Sequence, residues 1–143
     1  MTISEKILRL KAINLSILFD NSIKHLEKDI LDMNRDQMYE DGIMNVKTEK
    51  TERYSPATIR SKKRASFPFT DHVTLKWEGD FHGSLKLLIF AEKIVISTLN
   101  LTWANWLETN KRFANALGLT EDNIKKLRDL VKKEFIIQME NVI

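Results

Sequence analysis

SLKLLIFAEKIVIST, residues 84–98, sets two apolar, branched runs on either side of Glu92 and Lys93. Runs of this length, with a polar break suited to a tight turn, predict a β-hairpin that pairs Leu85–Phe90 with Lys93–Thr98. The regular pattern elsewhere is mainly helical. This hairpin therefore separates an α+β chain from an all-helical one.

Upstream, Ile3, Ile7 and Leu10 begin an apolar series that Phe19, Ile23, Leu26, Ile30 and Met33 continue in steps of three and four. Neither proline nor glycine interrupts it, so the spacing predicts one long amphipathic helix from about Ser4 to Arg35, with Ser4 as the N-cap. Leu8, Ile13, Leu15 and Leu18 widen the apolar surface. Such a helix needs two kinds of cover, the domain's own core and a neighbouring subunit.

Downstream, Trp103, Trp106, Leu107, Phe113 and Leu117 predict a short helix or helical turn stopped by Gly118. The spacing of Trp103 and Trp106 favours core positions. Thr120 caps a last helix whose stripe runs through Ile124, Leu127, Val131, Phe135, Met139 and Val142. Glu121 and Asp122 sit in its first turn, where the helix dipole favours negative charge.

Between these parts, helical periodicity ends after Gly42. Residues 43–74 read as an extended, partly mobile loop with a short strand near Ile43–Lys47. Ser55 and Pro56 begin a short basic helix that reaches about Ala65, because a side-chain oxygen followed by a proline suits a helix start. LKWEG, residues 75–79, suggests a strand ended by Gly79. At 143 residues the chain suits a single domain, 1–143, with one core.

Composition removes several chemistries. There is no cysteine, hence no disulfide, thiolate zinc site or cysteine nucleophile. His25, His72 and His82 have no metal-site spacing, and neither GxxxxGK[ST] nor GxGxxG occurs around Gly79 and Gly83. Asp80, His82 and Ser84 are close in sequence without the elbow and oxyanion hole that a nucleophilic triad requires. The expectation is a non-enzyme with no metal, no cofactor and no small-molecule substrate. No run is long and apolar enough for a membrane span, and charges interrupt the first residues, so no membrane partner is expected and the chain reads as soluble and made in the cytoplasm.

The strongest remaining signal is charge. From Lys47 to Arg64 seven cations face two carboxylates, while the whole chain carries a net charge of only +3. Arg60, Lys62, Lys63 and Arg64 lie on the basic helix, with Arg60 and Arg64 one turn apart. This ridge suits either nucleic-acid phosphates or an acidic protein surface. Trp77, Phe81 and Leu85, in and beside a charged segment with two flexible glycines, are the candidates for a subunit interface.

The order YSPATIRSKK, TLKWEGDFHGSLKL and GLTEDNIKKL resembles small morphogenesis proteins of tailed bacteriophages, the loose group of tail-completion and head–tail joining proteins. The matching positions are Tyr54, Pro56, Thr58, Lys62, Leu75, Gly79, Phe81, Ser84 and Leu85. Trp77-Glu78 departs from the Asp-Thr pair more usual there. The resemblance implies a structural virion protein, located in the neck or tail, that forms a homo-oligomeric ring between portal and tail. Its expected partners are further copies of itself, the portal or connector, tail proteins and, non-specifically, the genomic DNA in the lumen. The alternative from the residues alone is a small basic nucleic-acid-binding or regulatory domain, followed by a host adaptor module.

Overall fold

The computed structural model describes residues 1–76 and 79–143. Their order is α1 (Ile3–Ala12), α2 (Leu15–His25), α3 (Glu27–Tyr39), β1 (Ile43–Asn45), β2 (Lys50–Thr51), α4 (Pro56–Arg64), α5 (Asp80–Gly83), β3 (Leu85–Ile89), β4 (Ile94–Thr98), α6 (Leu101–Thr109) and α7 (Glu121–Val142). The fold is α+β. Its two small sheets are the antiparallel pairs β1–β2 and β3–β4.

The hairpin lies where its sequence puts it, with Leu85 opposite Thr98, Leu87 opposite Ile96 and Ile89 opposite Ile94. These residues share one face because side chains alternate along a strand. Leu85 and Leu87 are buried on that face, and Ile94 and Ile96 pack beside them against the core.

The single long N-terminal helix is not formed. Three shorter helices replace it, with breaks at Asn14, where a polar side chain caps the next helix, and at Leu26, where none does. Thr2, rather than Ser4, caps α1 in a reciprocal capping box with Glu5. Asn14 then takes an extended backbone and accepts from the amides of Ser16 and Ile17, which restarts the helix as α2. The Leu26 junction is milder, since its amide still reaches the carbonyl of Ser22 at 3.2 Å.

The core is built on α2 and α3 with the hairpin, α6 and α7 around them. Ile23, Leu26, Ile30, Leu31 and Met38 are buried there, together with Met44, Val73 and Phe113. Two buried amides, Asn34 and Gln37 of α3, fasten the chain that leads into α7. Asn34 donates to the Ala116 carbonyl at 3.0 Å and accepts from the Gly118 amide at 3.1 Å. Gln37 donates to the Gly118 carbonyl and accepts from the Thr120 amide, both at 3.0 Å. Each amide thus has its donor and acceptor engaged, as burial demands. Thr120 caps α7 as expected.

Within residues 43–74 the expected short strand and basic helix form as β1 and α4, and β2 and a bridge between Arg53 and His72 accompany them. The Val73 amide bonds the Glu52 carbonyl at 2.8 Å, closing this region back on itself. At Gly42, φ is +67°, and a Cβ would lie 2.6 Å from the His72 ring. Only glycine allows that approach. The strand suggested at residues 75–79 partly falls on Trp77 and Glu78, outside the described residues; Leu75 itself has a left-handed φ of 54°, which no strand uses.

Candidate interaction surfaces

Ser55 accepts from the Thr58 amide and Pro56 occupies the first turn, so α4 starts as its sequence predicts. Its cations then divide. Arg60, Lys63 and Arg64 are exposed, whereas Lys62 is only 2% exposed. The Lys62 ammonium donates to the Lys76 carbonyl at 2.9 Å and to Thr74 Oγ1 at 3.5 Å. It lies 4.7 Å from the Tyr54 ring centre and 4.4 Å from that of Phe67. An ammonium is buried only where hydrogen bonds and ring faces replace water.

Lys62 is therefore removed from the proposed contact ridge, for the physical reason that its charge faces inward. Its role is to hold α4 against residues 74–76. Thr74 completes the anchor: its amide bonds the Tyr54 hydroxyl at 2.9 Å, and its own hydroxyl accepts from the Lys76 amide at 3.2 Å. With one side of α4 pinned in this way, Arg60, Lys63 and Arg64 are directed to solvent. Elsewhere in the basic segment Arg112 bonds Glu52 at 2.9 Å, and that bond holds the Glu52 carboxyl below its ordinary range.

The expected subunit contact is altered more deeply. Phe81 is 1% exposed and its ring lies 4.9 Å from that of Trp103, while Leu85 is buried in the hairpin face. Both belong to the core of the single chain and offer no surface to a second subunit. Trp77, the third residue of that expectation, lies outside the described residues. Trp106 stacks on Phe113 at 4.9 Å, so both helical tryptophans pack against the core, as their spacing predicts.

Around His82 the polar atoms are occupied. Its Nε2–H donates to the Thr74 carbonyl at 2.7 Å, and the Ser84 hydroxyl is 2.7 Å from the Phe81 carbonyl and 2.6 Å from Thr98 Oγ1. Burial pushes the His82 pKa down from its ordinary value, with Lys76 and Arg35 nearby acting in the same direction. A short helix, α5, carries Asp80 and His82. Among the described residues no group of three His, Asp or Glu side chains could hold a metal ion.

A run of exposed apolar side chains lies at the N-terminus, in the helices whose stripe suggested two kinds of cover. No residue of α1 is buried; Ile3 is 79% exposed, Leu8 67%, and Ile7 and Leu10 are exposed as well. Leu15, Ile17 and Phe19 extend this surface along α2. The N-terminal stripe is thus legible as apolar, but Ile13 is only half-buried and the first fully buried residue is Leu18. No helix among the described residues is long and apolar enough to cross a membrane. Comparison of the chain with known protein families, with curated proteins and with solved structures finds no match.

Proposed function

We propose that this chain is a structural subunit of a tailed-phage virion, acting in the neck as a head–tail joining or tail-completion protein. The observation that carries the reading is the N-terminal surface. A helix with no buried residue and four large exposed aliphatic side chains is costly in water, and apolar patches of this kind mark sites where another macromolecule belongs. The segment order from Tyr54 to Leu85 supplies the link to phage morphogenesis. Arg60, Lys63 and Arg64 then face either genomic DNA in the lumen or an acidic neighbour.

Light scattering on the purified chain tests the assembly reading directly. A ring gives a mass several times the 16.7 kDa of one chain, and the protein appears in purified particles. A monomer at every concentration that is also missing from particles overturns it. The exposed cations of α4 favour a second reading, a small nucleic-acid-binding domain. That reading predicts binding of short random-sequence DNA that weakens steeply with salt and with charge reversal at Arg60 and Arg64, in a chain that does not assemble.

A further inference from the structure

In its sheet, β4 has a partner on one side only. The Phe90 amide donates to the Lys93 carbonyl at 2.8 Å and the Leu99 amide to the Ser84 carbonyl at 2.9 Å, and these two bonds at the ends of the hairpin fix the phase of the ladder between them. In an antiparallel pair every second residue turns its amide and carbonyl toward the partner strand. Lys93, Val95, Ser97 and Leu99 do so here, which leaves the backbone groups of Ile94, Ile96 and Thr98 aimed at the outer edge. Among the described residues no hydrogen bond is made to them, and all three residues are half-buried. Half-buried ladder groups without a partner are a template for another strand.

Room for that strand lies beside them. A cavity of about 400 Å³ is lined by Ile96, Ser97 and Thr98 together with Leu107, Phe113 and Leu117. Three consecutive residues, whose side chains alternate between two faces, line one cavity when it runs along the strand's edge. Next to it a cavity of about 200 Å³ has Ile94 and Ile96 on one side and Gly118 and Leu119 on the other. A third, of about 320 Å³, continues from Ile94 to Ile124 and Leu127. Together they make a groove between β4 and the chain that leads into α7. Glu108 stands at its Thr98 end, and Arg128 and Lys132 at its Ile94 end.

The unpaired groups set the chemistry of the occupant. Alternating amides and carbonyls are matched by an extended polypeptide backbone, whereas a helix uses its own and a lipid tail has none. A second copy folded in the same way offers no such segment. Its own β4 lies behind the groove wall, which keeps two β4 edges from the spacing of about 4.8 Å that pairing requires. Met44 of β1 and Leu85 and Leu87 of β3 are buried, and β2 has only two residues. The longest described run without helix or strand, 65–76, is tied back at Phe67, His72, Val73 and Thr74, so no stretch of it as long as β4 is free.

We propose that the outer edge of β4 binds an extended segment of a different protein as a third strand of the hairpin sheet. The segment's backbone pairs with Ile94, Ile96 and Thr98, and every second side chain is apolar and enters the groove. Its ends carry a base near Glu108 and an acid near Arg128 and Lys132. The site goes beyond the assembly reading and does not require it; in an assembly it takes a neighbour's arm.

The test selects binders of the purified full chain from a library of random short peptides, then methylates the backbone nitrogens of the best binder one at a time. The expected binder alternates apolar residues and carries opposite charges at its ends. Methylation at every second residue should weaken it about tenfold, while the residues between tolerate it. Binding should also slow amide exchange at Ile94, Ile96 and Thr98. Ala114→Trp, which fills the groove from an exposed position, should remove binding with circular dichroism unchanged. No binder, no alternation in the methylation series, unchanged exchange at these three amides, or a folded Ala114→Trp chain that still binds overturns the proposal. So does a binder that lowers the light-scattering mass toward one chain, because the groove then belongs to a second copy. A chain that binds as expected but is monomeric and absent from particles ends the assembly reading alone. A chain present in particles that binds no such peptide ends this proposal alone.

Discussion

Residues 3–10 and 23–30 share an apolar rhythm of threes and fours, yet the folded chain treats them in opposite ways. Ile23 and Ile30 are each 1% exposed, while Ile3 and Ile7 stand in solvent. The difference is in their neighbours. α2 and α3 lie against α7, the hairpin and one another, whereas no residue of α1 is buried and its Arg9 reaches the carbonyl of Ile143, just past the end of α7. Periodicity specifies that a helix has a side to bury; it does not specify that the same chain buries it.

The largest expected effect breaks the comparison at its buried end. Phe81→Ala should cost about 3–5 kcal/mol and Ile30→Ala about 2–5 kcal/mol, because each leaves a cavity in a closed core. Ile7→Ala in the isolated chain should stay within about 0.5 kcal/mol, since it removes little that the fold covers. Urea unfolding of the three variants measures this. An Ile7→Ala cost as large as that of Ile30→Ala would show α1 to be part of the folding core.

The two lysines of α4 sharpen the contrast within a single turn. Lys62→Ala should destabilise the chain by about 2 kcal/mol or more, through lost packing on two rings and a Lys76 carbonyl deprived of its donor. Lys63→Ala, on the solvent side, should be nearly silent in stability, within about 0.5 kcal/mol. Thermal melts of both variants check the prediction. Equal effects would return Lys62 to the surface ridge.

The smallest effect concerns His82. Its folded pKa lies below the ordinary 6.5 because burial disfavours the charged ring. Between the two values the unfolded chain binds more protons than the folded one, so stability is level above about pH 6.5 and declines as pH falls below it. Urea midpoints from about pH 7.5 to about pH 5.5 should show that decline, with a shallower slope in His82→Gln. An unchanged slope in the variant would assign the pH response to other groups.

The elements legible in the sequence are those that rest on local chemistry. The hairpin, the Ser55–Pro56 helix start and the Thr120 cap are of this kind, and each lies where its residues predict. The uninterrupted N-terminal helix failed at Asn14. An asparagine within an apolar pattern can continue a helix or cap a new one, and here its side chain accepts from two amides. The roles of Asn34 and Gln37 are not legible, because polar residues on a helix look solvated until a distant loop comes to meet them.

The sequence by itself determined the class of the fold, the concentration of charge between Lys47 and Arg64, and the apolar character of the first helix. These are properties of neighbours along the chain. Only the tertiary structure decided that Lys62 leaves its basic companions for an anchor on Thr74 and Lys76, that Phe81 and Leu85 serve the core, and that α1 stays uncovered. Burial depends on which surfaces converge from far apart in the chain, and a side chain's type and spacing do not fix which surfaces those are.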